Sequence, residues 1–368
     1  MNHITNPVSI LKEEWVSLIR AEARTAELQK KLTNRQLELI YEQQWFKILV
    51  PNIYGGKQMP LPDVLQLEES LAYADGSLGW VVTLCAGAGW FGGHIAQDTA
   101  HKLLADNKIC LAGSGAPGGK AERTDKGYVV NGTWQYATGA NDATAFTANC
   151  IITSKGEPVR TATGEPEVLS FIFLKTEVTI EDTWNAMGML ATATNSFTVT
   201  NLAVASDRTF SAAAPLIKTP LYQFPFKQLA ECTLSINLSG MALYFIELCE
   251  QIFGGSKRAG TTTYALRPML KDNVDSHLQK LHMARQKLFY AVDMSWQICM
   301  ANKAISPSVL YKVSAASFTL TRVVRESVSA LYQYCGLDAA DTDSEINRVL
   351  RNILTCGQHS MLTGDGSA

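Results

Sequence analysis

The chain predicts an α+β multidomain fold in the order helices, β domain, helical bundle, and three observations carry that expectation. Apolar residues recur at three- and four-residue steps through the first hundred residues and again beyond residue 216. Between residues 108 and 210 the pattern changes to period two, broken by Gly, Pro and Asn. At 368 residues the chain is also too long for one ordinary core. The boundaries implied are 1–107 for an N-terminal helical domain, 108–215 for a central β barrel or sandwich, and 216–368 for a C-terminal four-helix bundle.

Each element has its local reason. Thr33-x-x-Gln36 is a capping box ahead of the apolar stripe Leu37, Ile40, Tyr41, Trp45. Pro51 and Gly55-Gly56 punctuate the chain, and Pro62-Asp63 opens a helix through Leu65, Leu67 and Leu71. After Asp75-Gly76-Ser77 comes a Gly- and Ala-rich segment whose small side chains admit a close neighbour. In residues 128–136, Asn131-Gly132 predicts a type I′ hairpin turn. Further strands are expected at 146–153, 169–174 and 196–205. Helices follow over 228–253, through Val274 to Cys299, through Val309 to Leu331, and over 345–361, which together make the bundle.

Composition excludes several classes. Charges nearly cancel, at −2, and no Lys/Arg block marks a nucleic-acid partner. No apolar stretch is expected to span a membrane, the richest being 79–91, and the N-terminus does not read as a signal peptide, so a cytoplasmic location is expected. Eight scattered cysteines without a C-x-x-C pair read as free buried thiols. Six histidines form no metal-ligand spacing, so no metal is expected. Gly113-Ser-Gly115-Ala-Pro117-Gly118 satisfies G-x-G-x-x-G, but a hairpin follows it rather than a helix, so a dinucleotide site is not expected.

Four segments resemble the acyl-CoA dehydrogenase superfamily. They are Asp75-Gly76-Ser77-Leu-Gly79-Trp80, the run 127–144 with Trp134-Gln-Tyr136-Ala137-Thr138-Gly139, the run 183–194 with Gly188, Thr192 and Thr194, and the closing helix 347–359. In the dehydrogenases a glutamate in the closing helix takes the substrate proton; here Ser360 holds that place, with His359 beside it. A histidine there resembles the branch of monooxygenases that borrow reduced flavin. The resemblance implies FAD or FMN between β domain and bundle, a homotetramer or homodimer, a partner flavin reductase and a small-molecule substrate. It puts Trp134, Tyr136, Ala137, Thr138, Gly139, Thr192 and Thr194 at the flavin, with Gln333 and Gly336 near a subunit contact.

The residues themselves suit those roles. Trp134 is expected to cover one face of the ring, and the Thr138 hydroxyl to bond its edge. Arg348, Asn352, Thr355 and His359 fall at steps of four, three and four, a polar stripe that would ordinarily face water. On it, an imidazole could deprotonate a phenol or hydrogen-bond activated oxygen. His94, between glycines and Ile95, is a second catalytic candidate for the same cavity. Lys257 and Arg258 are candidates for a flavin phosphate. Two departures from the family stand out: Leu190 where arginine is usual, and Asn352 where aspartate is. They motivate one rival, a non-catalytic binding or scaffold protein. The other rival is a dehydrogenase whose base is Glu231, on the first bundle helix.

Overall fold

The computed structural model describes residues 7–254 and 263–363; Lys257 and Arg258 lie outside them. Five helices lead: α1 (Glu13–Gln29), α2 (Asn34–Glu42), α3 (Leu61–Ala74), α4 (Gly76–Gly89) and α5 (Gln97–Leu104). The capping box at α2 is formed, Thr33 Oγ1 accepting from the Gln36 N–H and Gln36 Oε1 from that of Thr33. Strands β1 (Leu111–Thr124), β2 (Gly127–Ala137), β3 (Ala145–Ser154), β4 (Glu157–Pro158), β5 (Val168–Leu174), β6 (Thr179–Glu181), β7 (Asn195–Ala205) and β8 (Thr209–Phe210) follow. They form one mixed sheet in the order β6-β7-β2-β1-β3-β5-β8, with β1 parallel to β3 and β4 paired to β3. After the short α6 (Pro220–Gln223) come α7 (Phe226–Gly254), α8 (Thr263–Met300), α9 (Pro307–Tyr332) and α10 (Glu345–Cys356).

Two sequence expectations are corrected here. Asn131-Gly132 is not a turn: it lies inside β2, paired with Lys120 and Gly119, and the chain reverses instead at Asp125-Lys126. Gly132 serves packing. A Cβ at Gly118, Gly119 or Gly132 would collide with the Trp134 indole, so these three glycines make the bed on which that ring lies. Trp134 is therefore a core residue of the sheet, 1% exposed, stacked on Phe197 and donating its indole N–H to the Asn149 carbonyl. It cannot cover a flavin.

The second correction concerns α7, which is long and apolar enough to cross a membrane. It is apolar all round because it is buried all round, packed on α3, α4, α8, α9 and α10. One core joins the leading helices to the bundle, while the sheet has its own. All eight cysteines are buried and free.

Candidate functional site

The site is built on α4. Asp75 caps it, accepting the Leu78 N–H at 2.9 Å. Gly76 lies beneath Met241 and Asn352, and Gly79 against Ala72, so a side chain at either would push α7 or α3 away. Twelve of the fourteen α4 residues are buried; only Leu84 and Gly87 are partly open, and a Cβ at Gly87 would meet nothing within 4 Å. A helix closed on most sides thus has one open stripe. Flanking it, Ser77, Val81 and Cys85 face the β domain, through Met189, Gly139 and the Thr138 carbonyl. Trp80 faces His359, ring centroids 6.0 Å apart.

From the β domain, the end of β2 turns outward. Tyr136 has φ 63° and is 68% exposed, its ring edge-on to Trp184 at 6.2 Å. Next to it, Thr138, Thr194 and Thr192 form a chain of hydroxyls at 3.0 and 2.6 Å, ending on the Met189 carbonyl at 2.8 Å. The Gly139 N–H donates to the Thr192 carbonyl. Ala137, Thr138, Gly139, Thr192 and Thr194 are therefore brought together as the sequence suggested.

From the bundle, the polar stripe of α10 points inward, against the solvent-facing alternative. Asn352 accepts the Met189 N–H at 2.6 Å through Oδ1 and places its amide 3.5 Å from Ser77 Oγ. Thr355 Oγ1 is buried without a partner. Arg351 donates to the Met187 carbonyl at 2.8 Å and pairs with Glu27 at 2.6 Å. At Asn352 an amide can both accept from Met189 and donate to Ser77, which an ionised carboxylate cannot. Gly188 is required because its Cβ would strike the Arg351 carbonyl.

His359 follows α10 and caps the short turn Ser360–Leu362, its Nδ1 accepting the Met361 N–H at 3.3 Å. That bond assigns the proton of the neutral ring to Nε2, which becomes the donor. Burial pushes the imidazole below its ordinary pKa.

The remaining candidates lie elsewhere. His94 sits beyond the far end of α4, its ring 4.1 Å from that of Trp90 and 3% exposed. From Trp80 to Trp90 the helical path rises about 15 Å, so His94 and His359 do not share a cavity. Burial pushes His94 down to about 4, with the nearby backbone of Trp90 and Ala212 opposing in part without forming a good hydrogen bond. The folded chain holds it neutral, while the unfolded chain takes up a proton near pH 6.5. Stability is then expected to fall as pH drops from 6.5 toward 4, by on the order of 3 kcal/mol from this residue. Urea denaturation of wild type and His94→Phe at pH 7.5 and 4.5 checks it; equal acid loss in both refutes the assignment.

Glu231 accepts from Ser314 across the α7–α9 contact, and burial raises its pKa. Glu231 thus faces Ser314 of α9, whereas Asn237 and Met241 on the same helix meet α4. Gln333 and Gly336 lie exposed at the end of α9. Cavities of about 420 and 550 Å³ open where the end of α1 meets the β domain, beside Asn141 and Asn195, and where α5 meets it, beside Lys102 and Arg208.

Sequence reasoning missed Ser77, Cys85 and Arg351, because ordinary helix residues acquire a place only when their neighbours are known. The residues fit a flat ring of mixed polarity. Tyr136 and Trp184 offer exposed aromatic surface, the threonine hydroxyls an edge, and the Gly87 stripe open space.

Residues 234–363 match the family model "Acyl-CoA dehydrogenase, C-terminal domain". The indole-3-acetate monooxygenase of Acinetobacter baumannii is 23% identical over 325 residues, 88% of this chain and 82% of that one. The flavin-dependent monooxygenase oxygenase subunit HsaA of Mycobacterium tuberculosis is 23% identical over 346 residues, 91% and 86% of the two chains. The structure of XiaF from a Streptomyces species, solved with FADH2 and glycerol, superposes with a TM-score of 0.86 at 19% identity, covering 97% and 91%. The chain thus has the acyl-CoA dehydrogenase-like fold, carries that family's C-terminal domain over residues 234–363, and is similar along most of its length to flavin-dependent monooxygenases.

Proposed function

We propose that this protein is the oxygenase component of a flavin-dependent monooxygenase, taking reduced FAD or FMN from a partner reductase and oxygenating a small aromatic or heteroatom substrate. The observation that carries this is the inward stripe of α10, which ends in His359 beside Trp80 and offers no carboxylate there. Tyr136 and Trp184 would flank the ring, and Thr138, Thr192 and Thr194 would bond its edge. Bound reduced flavin supplies the electrons that activate oxygen. His359 would offer its Nε2–H to oxygen activated there, with the Trp80 ring beside it shielding the imidazole from water.

Glu231, turned toward α9, lends the dehydrogenase rival no support, and the Asn352 anchor weakens the motive for a scaffold. Homo-oligomerisation is part of the proposal. Met283, Tyr290 and Met294 leave an exposed apolar stripe on α8 that bundle-to-bundle packing would cover.

Anaerobic titration with reduced and oxidised FMN and FAD, then rapid mixing with oxygen, tests the reading. Tighter binding of the reduced form and a transient absorbance unlike either flavin state are expected. Reduced flavin that fails to bind, or that oxidises as it does free in solution, refutes it.

A further inference from the structure

Helices α3, α4 and α7 meet at one tight point. Gly79 of α4 rests on Ala72 of α3, and Gly240 of α7 rests on the Glu69 carbonyl, the Tyr73 amide and Ala72. Glu68 precedes Ala72 by four residues, Thr83 follows Gly79 by four, and Asn237 precedes Gly240 by three. Since α7 runs alongside α3 and α4 runs against both, these steps all climb one turn in the same direction. The three polar residues therefore come level around one junction.

The bonding there is incomplete. Glu68 and Asn237 are 0% exposed and Thr83 is 3% exposed. Asn237 Nδ2 donates to Thr83 Oγ1 at 3.3 Å, leaving its Oδ1 without a partner, and both carboxyl oxygens of Glu68 have none. Buried polar atoms left unpaired cost free energy, so three of them at one level call for a ligand or ordered water. The junction also borders the site. Thr83 lies about one turn beyond Trp80, which faces His359, and flanks the partly open stripe of Leu84 and Gly87.

We propose that Glu68, Asn237 and Thr83 form the closed polar end of the substrate cleft and bind a neutral hydroxyl or N–H at the end of an aromatic substrate remote from His359. This rests on the oxygenation reading above. Burial holds the Glu68 carboxyl protonated, so it offers one donor and one acceptor, and Asn237 Oδ1 offers a second acceptor. Such a set takes an O–H or N–H. It rejects a carboxylate, which would be buried without a cation.

Three probes test this on the full-length protein, by equilibrium binding followed through tryptophan fluorescence: phenol, 1,4-dihydroxybenzene and 4-hydroxybenzoate. Wild type is expected to prefer the diol to phenol by about tenfold, the worth of one good buried hydrogen bond, and to bind the benzoate more weakly than phenol. Glu68→Leu should bring diol and phenol within about threefold of each other, and Glu68→Gln should keep most of the preference. Where Glu68→Leu does not fold, Asn237→Leu is expected to show the same loss. No preference in wild type, a preference kept in the leucine variants, or no binding of any probe overturns the proposal. The oxygen-mixing experiment reads separately: a transient absorbance with no probe discrimination refutes the recess alone, and discrimination without the transient refutes the oxygenation alone.

Discussion

His359→Ala is expected to lower substrate oxygenation by about 10²–10³-fold while leaving reduced-flavin affinity within about threefold. The magnitude is that of one pre-organised donor at a site of developing charge. The separation follows from position: the threonine chain and Tyr136 belong to the β domain, whereas His359 enters from α10 beside Trp80. His359→Gln, which restores an N–H near the same place, should recover part of the loss. The pH profile gives a second signature. Burial pushes the imidazole below 6.5, so the neutral ring persists at and above neutral pH. Activity should therefore fall on the acid side, as pH drops through that lowered value, and His359→Ala should lack this limb. Steady-state turnover from pH 5 to 8 with wild type and both variants decides it. Unchanged oxygenation in the alanine variant removes His359 from the mechanism.

Arg285→Met is expected to cost about 3–5 kcal/mol of stability, the penalty for leaving one member of a buried ion pair alone. Arg285 of α8 grips Glu69 of α3 through Nε and Nη2 at 2.6–2.8 Å, and Ser239 of α7 donates to the same carboxylate at 2.7 Å. Both side chains are almost fully buried. Burial raises the Glu69 pKa and Arg285 works against that, so the carboxylate depends on its partner. The double variant Glu69→Leu/Arg285→Met should recover most of the loss, because it removes the charge with its counter-charge. Urea denaturation of the three proteins measures it. A single variant as stable as wild type would mean that α3 and α8 are held by packing alone. The consequence reaches the site, since Glu68 and the Ala72–Gly79 contact lie on the same helix α3.

The sequence reading failed where a neighbour overrides local preference. Trp134 and Tyr136 are two residues apart in a strand, and period two puts them on one face. In the structure Trp134 is buried and Tyr136 exposed, because the β2–β7 register breaks after Trp134 and Tyr136 takes a positive φ. The flat aromatic surface expected of Trp134 is supplied by the residue that left the strand pattern. Asn131-Gly132 misled for a related reason: its glycine is kept for the Trp134 ring, not for a turn. His94 sat among glycines that suggested an open cavity, but Gly93 is the seat of the Tyr222 ring.

What the order of residues determined unaided is whatever depends on near neighbours along the chain: helix, then strand, then helix, the Thr33 cap, and the spacing that put Arg348, Asn352, Thr355 and His359 on one stripe. Which way that stripe faces, which aromatic ring reaches the cleft, and how Glu68, Thr83 and Asn237 come level were decided only by tertiary packing. Periodicity states which side chains share a face; only the helix or strand packed against that face settles whether it meets water, a core or a ligand.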